Sequence, residues 1–401
     1  MRPFWKFIKG ISLSNWLFIA AFSGLLFGLI YPELTLHFKF INDIFLRLIK
    51  AVIAPILFSV LIRALGNAES ANDLGRLGWK SLLCFEVWST LALLIGWFTS
   101  LLFKSGIGIN LDSQESVNQS SMTLNDLLVN AFPTSIIDAM ARGDILQIVI
   151  FSFIFGVAAL SVGEKAKPVL QFTDSLAEIA FKFTQFIFFL APPAVFAAMA
   201  ITASSGPETL TGLASFIFSA WIAQLFFLIV VLFGSLIVFN IPLKRFIYHI
   251  KEPFLIAFAT TSSAAALPQT LTNLENYGIP KKLIGIVAPL SLSLNLNGST
   301  LYLGMATLFV AQAANIPLSF DQQILILLIL KVTSKGVAGI PRANFVVLAA
   351  LFPTFGLPTE ALGLLLGIDV LIDPVRTSVN VISHCAAPTV IAKWEGFIIP
   401  K

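Results

Sequence analysis

The sequence predicts an all-α membrane protein with eight transmembrane helices and two re-entrant helical hairpins. Three observations lead there: the hydropathy, the spacing of the basic residues, and the interruption of long apolar stretches by Ser, Thr, Gly and Pro. Of the 401 residues, 57% are hydrophobic and only 11% are charged, with a mean hydropathy of +0.91. A soluble globular chain carries about 25% charged residues. The 38 phenylalanines, with Trp5, Trp16, Trp79, Trp97 and Trp394, suit a bilayer and its interfaces. The net charge of +4 is no sign of a nucleic-acid partner, because the basic residues are confined to loops.

Taken in order, apolar runs near 13–30, 41–65, 79–103 and 144–161 supply four spans, and runs near 169–202 and 212–240 supply two more. The first run follows Arg2, Lys6 and Lys9, as a secretion signal would. No small-residue cleavage site follows it, so it reads as a retained helix. The polar stretch Ser105–Asn130 reads as an aqueous loop. Cys84 and Cys385 fall in apolar stretches and are expected as free thiols. After residue 240 the pattern changes. Phe254–Leu271 is broken by TTSSAAALP, Leu283–Gln312 by SLNLNGST, and Ile324–Phe352 by TSKGVAGIPRAN.

Basic residues lie in alternate loops: Arg2, Lys6 and Lys9; Arg63, Arg76 and Lys80; Lys165 and Lys167; Lys244, Arg245 and Lys251; Lys281 and Lys282. The positive-inside rule then puts both termini in the cytoplasm, across the inner (plasma) membrane, and requires an even number of crossings. Six early spans and two later ones meet that requirement if the first and third interrupted stretches enter and leave on one side. The first hairpin would enter from the cytoplasm and the second from outside. Bare backbone at that depth is tolerated only where protein or water surrounds it. Paired interrupted segments of this kind mark a transport site.

The last span is the most informative. Gly367–His384 reads GIDVLIDPVRTSVNVISH. At about 100° per residue, Asp369, Asp373, Arg376, Thr377, Asn380 and His384 fall within an arc of roughly 100°. A charge at the bilayer centre costs at least about 2.5–3.5 kcal/mol on insertion scales, so this stripe must line something polar. A guanidinium binds a carboxylate bidentately, and Asp373, three residues before Arg376, can accept an ammonium. The pair suits a zwitterion with a second carboxylate. The alternative is an intrahelical Asp373–Arg376 salt bridge that only neutralises buried charge. Asp369 could be a charge partner or a direct contact.

FLRLIKAVIAPILFSVLI (Phe45–Ile62), TTSSAAALP (Thr260–Pro268), NLNGS (Asn295–Ser299), SKGVAGIP (Ser334–Pro341) and DVLIDPVRTSVNV (Asp369–Val381) together resemble the glutamate/aspartate transporters, the dicarboxylate/amino acid:cation symporters. The likeness runs over nearly the whole chain. It implies inverted repeats, a homotrimer in the lipid bilayer, and a transport domain that moves like an elevator against a fixed scaffold. Residues 1–80 would hold scaffold and trimerisation helices 1–2, and 81–130 the third helix and its aqueous loop. Residues 131–240 would supply helices 4–6, of which 4–5 are scaffold and 6 belongs to the transport domain. Residues 241–401 would form the transport core with both hairpins and helices 7 and 8. The implied substrate is L-aspartate or L-glutamate. Arg376 would take its side-chain carboxylate with Ser299, Asp373 and Thr377 its ammonium, and Asn380 with Ser262 and Ser263 its α-carboxylate. The backbone of Val337, Gly339 and Ile340 would close over it, with Gly336, Pro341 and Arg342 at the gate.

The sequence departs from the family where cations bind. The family's cation positions are Ser89, Asn295, Asn297, Asn380 and His384, and sodium-coupled members have aspartates where this chain has Asn297 and His384. Phe85 and Trp88 stand where a tyrosine and a threonine would be. Hard cations need oxygen ligands and are tuned by charge count, so sodium coupling is expected to be lost or weakened. Neutral Asn297 and His384 would imitate a sodium-loaded site. The family's proton-carrying glutamate aligns with Leu303. His384, which can titrate near neutrality, and Glu86, an acid among apolar neighbours, are the proton-carrier candidates; uncoupled transport is the other option. Arg342 and Asn344 replace glycines at the second hairpin tip, and Ala264 replaces a serine at the first. Arg342 is either a solvated loop charge or a contact for an anionic substrate.

An enzyme is not expected. His384 and Asp373 share a helix face but lie about 16 Å apart along the axis, His37 and His249 are in loops, and no zinc or nucleophile motif occurs. No cofactor is implied. A channel would use rings of charge or carbonyls rather than one polar pocket. Among transport substrates, the alternative is a C4-dicarboxylate such as succinate, fumarate or malate, for which Asp373 would be an electrostatic penalty.

Overall fold

The computed structural model describes residues 13–66, 71–109, 129, 132–336 and 343–398. Every regular element among them is helical. Leu13–Ile30 (α1), Lys39–Gly66 (α2) and Ala71–Phe103 (α3) come first, followed by the short Ile136–Arg142 (α4) and Ile145–Val162 (α5). The aqueous loop expected at Ser105–Asn130 lies mostly outside the described residues. The run expected as one span over 169–202 is instead two helices, Lys167–Phe188 (α6) and Ala191–Ser204 (α7), at a bend of 51°. Pro192 and Pro193 open α7, where their missing N–H groups need no partner but could not continue α6. Pro207–Phe226 (α8) widens into a π turn over Phe227–Phe233 and ends as Gly234–Val238 (α9). Arg76–Phe103 and Pro207–Val238 are each long and apolar enough to cross a membrane as single rods, and the bent pair around residue 189 as a third.

The remaining elements build the interior. Leu243–Thr260 (α10) and Ser263–Tyr277 (α11) form a tight antiparallel hairpin. Its turn uses Thr261 at φ +52°, and Ser262 caps α11 by accepting from the Ala265 N–H at 3.2 Å. Gln269 bonds Glu252, and Asn273 bonds the His249 carbonyl, across the pair. Lys281–Leu294 (α12) and Asn297–Ala313 (α13) would be one helix but for a break at Asn295–Leu296, inside the NLNGS motif. Phe320–Thr333 (α14), opened by a Ser319–Gln322 capping box, leads to a 3₁₀ turn at Ser334–Gly336. Ala343–Thr354 (α15) follows residues outside the description. The last helix, Ala361–Trp394 (α16), is buried along nearly its whole length against α3, α7, α8 and α10–α13.

Burial runs opposite to that of a soluble protein. Asp369, Asp373, Arg376, Asn380 and His384 are buried, while Phe189 is 75% and Val238 76% exposed. Large apolar side chains facing outward on many helices need a covering of lipid or of further chains. Cys84 and Cys385 are buried free thiols, as expected.

Helices α1 and α7 approach through glycines. A Cβ on Gly24 would lie 2.4 Å from the Phe196 carbonyl oxygen, and one on Gly28 would lie 2.1 Å from that of Ala200. The spacing of four residues makes this a small-xxx-small contact, in which missing side chains let backbones touch. Backbone cannot yield as a side chain can. Gly28→Val should therefore cost about 1–3 kcal/mol by overpacking and lower the melting temperature of the detergent-solubilised protein. Gly285→Ala, with no neighbour within 4 Å of the new Cβ, should not. Equal melting temperatures for Gly28→Val and the parent chain would contradict this packing.

Candidate binding site

The centre of the site is a buried ion cluster on one face of α16. Arg376, 2% exposed, donates from Nη1 to Asp369 Oδ1 at 2.7 Å and from Nη2 to Asp373 Oδ1 at 2.5 Å. Its guanidinium carbon lies 4.5 Å from the centre of the Tyr302 ring on α13, so a cation–π contact covers one face. Thr377 Oγ1 donates to the same oxygen of Asp373 at 3.1 Å. Asp369, left open by the sequence, is thus a charge partner of Arg376. Two of the five guanidinium N–H donors go to these aspartates, so others remain for a ligand carboxylate.

A polar shelf lies beside the cluster at the break between α12 and α13. Ser299 Oγ accepts from Asn380 Nδ2 at 3.0 Å and from Asn344 Nδ2 at 3.1 Å, and the Ser299 N–H donates to Asn380 Oδ1 at 3.2 Å. With both lone pairs taken, the Ser299 hydroxyl has only its proton to offer, which suits an incoming carboxylate. The preceding Gly298 permits this contact. A Cβ there would lie 2.5 Å from the Arg376 carbonyl oxygen. The Gly298 carbonyl accepts from Gln224 Nε2 of α8 at 2.8 Å.

The two positions where the family has aspartates are joined by a chain of hydrogen bonds. Asn297 Nδ2 donates to Asn295 Oδ1 at 2.7 Å, Asn295 Nδ2 donates to Ser291 Oγ at 3.0 Å, and Ser291 Oγ pairs with His384 Nδ1 at 3.2 Å. Asn295 Nδ2 also reaches the Ser383 carbonyl at 3.2 Å. Asn297 Oδ1 and His384 Nε2 have no hydrogen-bond partner among the described residues. Phe85 and Trp88 of α3 are buried. No group of three or more His, Cys, Asp or Glu that could hold a metal ion occurs among the described residues.

Glu86 lies elsewhere. It is ion-paired to Lys331 at 3.0 Å and Lys335 at 2.9 Å, on a half-exposed side chain. Ser89 accepts from Lys335 at 3.3 Å. Ser262 and Ser263 are half-buried at the start of α11, whose hairpin packs on α16. Val337, Gly339, Ile340, Pro341 and Arg342 lie outside the described residues, and Gly336 ends the 3₁₀ turn before them. Sequence reasoning missed Gln224, Tyr302 and the role of Asn344. An amide in the middle of the apolar run 212–240 was a readable signal for Gln224; nothing in the sequence marked Tyr302.

A model of the sodium:dicarboxylate symporter family matches residues 13–394. The chain is 38% identical to the proton/sodium-glutamate symport protein of Geobacillus stearothermophilus, over 97% of its own length and 96% of that protein's. It is 36% identical to the proton/glutamate-aspartate symporter of Bacillus subtilis (strain 168), over 94% and 93% of the two lengths. It is also 36% identical to the C4-dicarboxylate transport protein of the same organism, over 94% and 92%. The chain therefore belongs to the sodium:dicarboxylate symporter family, a family of integral membrane transporters and not of enzymes.

Proposed function

We propose that the chain carries acidic amino acids, L-aspartate or L-glutamate, across the plasma membrane without needing sodium. The observation that carries this is the buried Asp369–Asp373–Arg376 arrangement, which sets carboxylate oxygens and guanidinium donors side by side on one helix face. A ligand's ammonium pairs with Asp373 while its carboxylates take Arg376 and the Ser299 hydroxyl. Asn380 and the α11 N-terminus at Ser262 and Ser263 serve the α-carboxylate. A C4 dianion brings two negative charges and no ammonium. Relatives named for C4-dicarboxylates keep that second reading alive. Two arms of one titration separate them. Asp373→Asn should weaken aspartate binding at least a hundredfold and leave succinate binding unchanged or improved. Retained aspartate affinity in that variant contradicts the assignment. Swapping sodium for choline should change wild-type affinity less than tenfold, whereas a hundredfold dependence contradicts sodium independence.

Sodium independence is supported by neutral groups that hydrogen-bond at the positions the resemblance assigns to cations. The Asn297 amide spends a donor on Asn295, where a metal ion would instead need an oxygen from both. His384 is engaged with Ser291. Eight spans, two re-entrant hairpins, both termini inside, and a trimer whose scaffold lies in residues 1–80 and helices 4–5 remain our reading of the architecture. Movement of the 241–401 core with helix 6 is the corresponding transport step. The exposed apolar faces of α5 and α6, with Phe153 and Phe172, are surfaces that a bilayer or sister subunits would cover.

For coupling, His384 is the candidate proton carrier, with uncoupled transport as the other reading, and Glu86 has a structural ion-pair role, because two lysines already occupy it. An acidic exterior should accelerate aspartate uptake into proteoliposomes several-fold. His384→Gln should reduce uptake to the rate without a gradient. Wild-type uptake indifferent to the pH gradient contradicts a proton carrier at this position.

A further inference from the structure

Outside the Arg376 cluster, a second set of charges converges on the same helix break. Lys335, in the 3₁₀ turn after α14, directs its ammonium at three oxygens: Glu86 Oε1 at 2.9 Å, Ser89 Oγ at 3.3 Å and the Leu294 carbonyl at 3.2 Å. An ammonium has three donors, so all three are placed. The Lys335 side chain is only 16% exposed. Lys331 takes the other oxygen of Glu86 at 3.0 Å and also bonds Thr90 at 2.8 Å. One carboxylate and two ammonium groups leave one net positive charge.

A salt bridge alone would need only Glu86. Lys335 goes further, to a serine hydroxyl and to a backbone carbonyl. Leu294 ends α12, so its carbonyl belongs to the open, partly negative C-terminus of that helix. Carboxylate, hydroxyl and backbone carbonyl are the oxygen types that a small hard cation collects. The next residue, Asn295, bonds Ser291, Asn297 and the Ser383 carbonyl. A charge held at Leu294 is therefore one residue from the Asn295–Asn297 amide pair, which opens the helix carrying Ser299.

We propose that Lys335 is a tethered cation, whose ammonium stands in a monovalent-cation position between α3 and the end of α12 and orders the helix break for substrate. It acts as a positioning residue. The inference rests on the sodium-independent reading above and names the group that makes an external ion unnecessary. The geometry also says what its removal creates: a carboxylate, a hydroxyl and a carbonyl facing a gap the length of a lysine side chain.

The test is chemical rescue in the purified full-length protein. L-Aspartate affinity and melting temperature are measured for wild type, Lys335→Ala and Lys335→Met in choline chloride, then with sodium, potassium or ethylammonium chloride titrated in. Wild type should change less than twofold in affinity. Lys335→Ala should lose at least tenfold in choline, with a lower melting temperature, and ethylammonium or sodium should restore both saturably. Lys335→Met keeps the stem without the charge, so it should show the loss and resist rescue. Wild-type behaviour of either variant in choline overturns the proposal, as does a loss in Lys335→Ala that no cation reverses. If Lys335→Ala cannot be purified even in ethylammonium, Lys335→Met decides: loss supports the tethered cation and wild-type affinity overturns it. Should wild type not bind aspartate at all, the substrate reading fails, while the melting temperatures still decide the role of Lys335.

Discussion

Everything in this transporter is arranged around one buried guanidinium. Arg376 lies on a helix that protein surrounds on all sides, and Asp369, Asp373 and the Tyr302 face hold it. Removing one partner of a buried ion pair costs about 3–5 kcal/mol, because the other charge is stranded. The cluster therefore has to be built whole, and other elements conform to it. Gly298 gives up its side chain so that the α12–α13 break can touch the Arg376 carbonyl. Asn380 and Asn344 converge on Ser299 and turn its hydroxyl proton outward. The same cluster explains why α16 is enclosed by other helices along nearly its whole length. Buried polar networks are favourable only when nearly every member is satisfied.

Charge replacement is the second theme. Where a sodium-coupled protein would oppose carboxylates with ions, this chain opposes amides with amides at Asn295 and Asn297. It places fixed ammonium groups around Glu86. Neutral pairs and tethered charges need no ion to arrive from solution. On the proposed reading they also cannot leave, so an ion gradient would not act through them, and a proton is the substitute we propose.

The parts of the molecule that follow periodicity and hydropathy were legible in the sequence. α1 runs over the residues its apolar stretch indicated, and the break in the NLNGS motif falls at Asn295–Leu296. The polar arc of α16 was readable because helical spacing alone brings Asp369, Asp373 and Arg376 together. What was not legible depends on contacts between distant elements. The bend between α6 and α7 is an exception, because Pro192 and Pro193 are local signals that were legible although the run reads as one span. Glu86 could be seen as an acid among apolar neighbours that a salt bridge would satisfy, but its lysines come from residues 331 and 335, more than two hundred positions later. Tyr302 over Arg376 is an ordinary aromatic until two helices cross. Asn344 looked like a replaced glycine and became a donor to Ser299.

A structure of the protein with L-aspartate bound is the most direct check on the reading of the Arg376 cluster. The side-chain carboxylate should lie on the Arg376 guanidinium beside Ser299, with the α-ammonium within hydrogen-bond distance of the Asp373 carboxylate. A map in which Arg376 and Asp373 clasp only each other, with the amino acid lodged elsewhere, would contradict it.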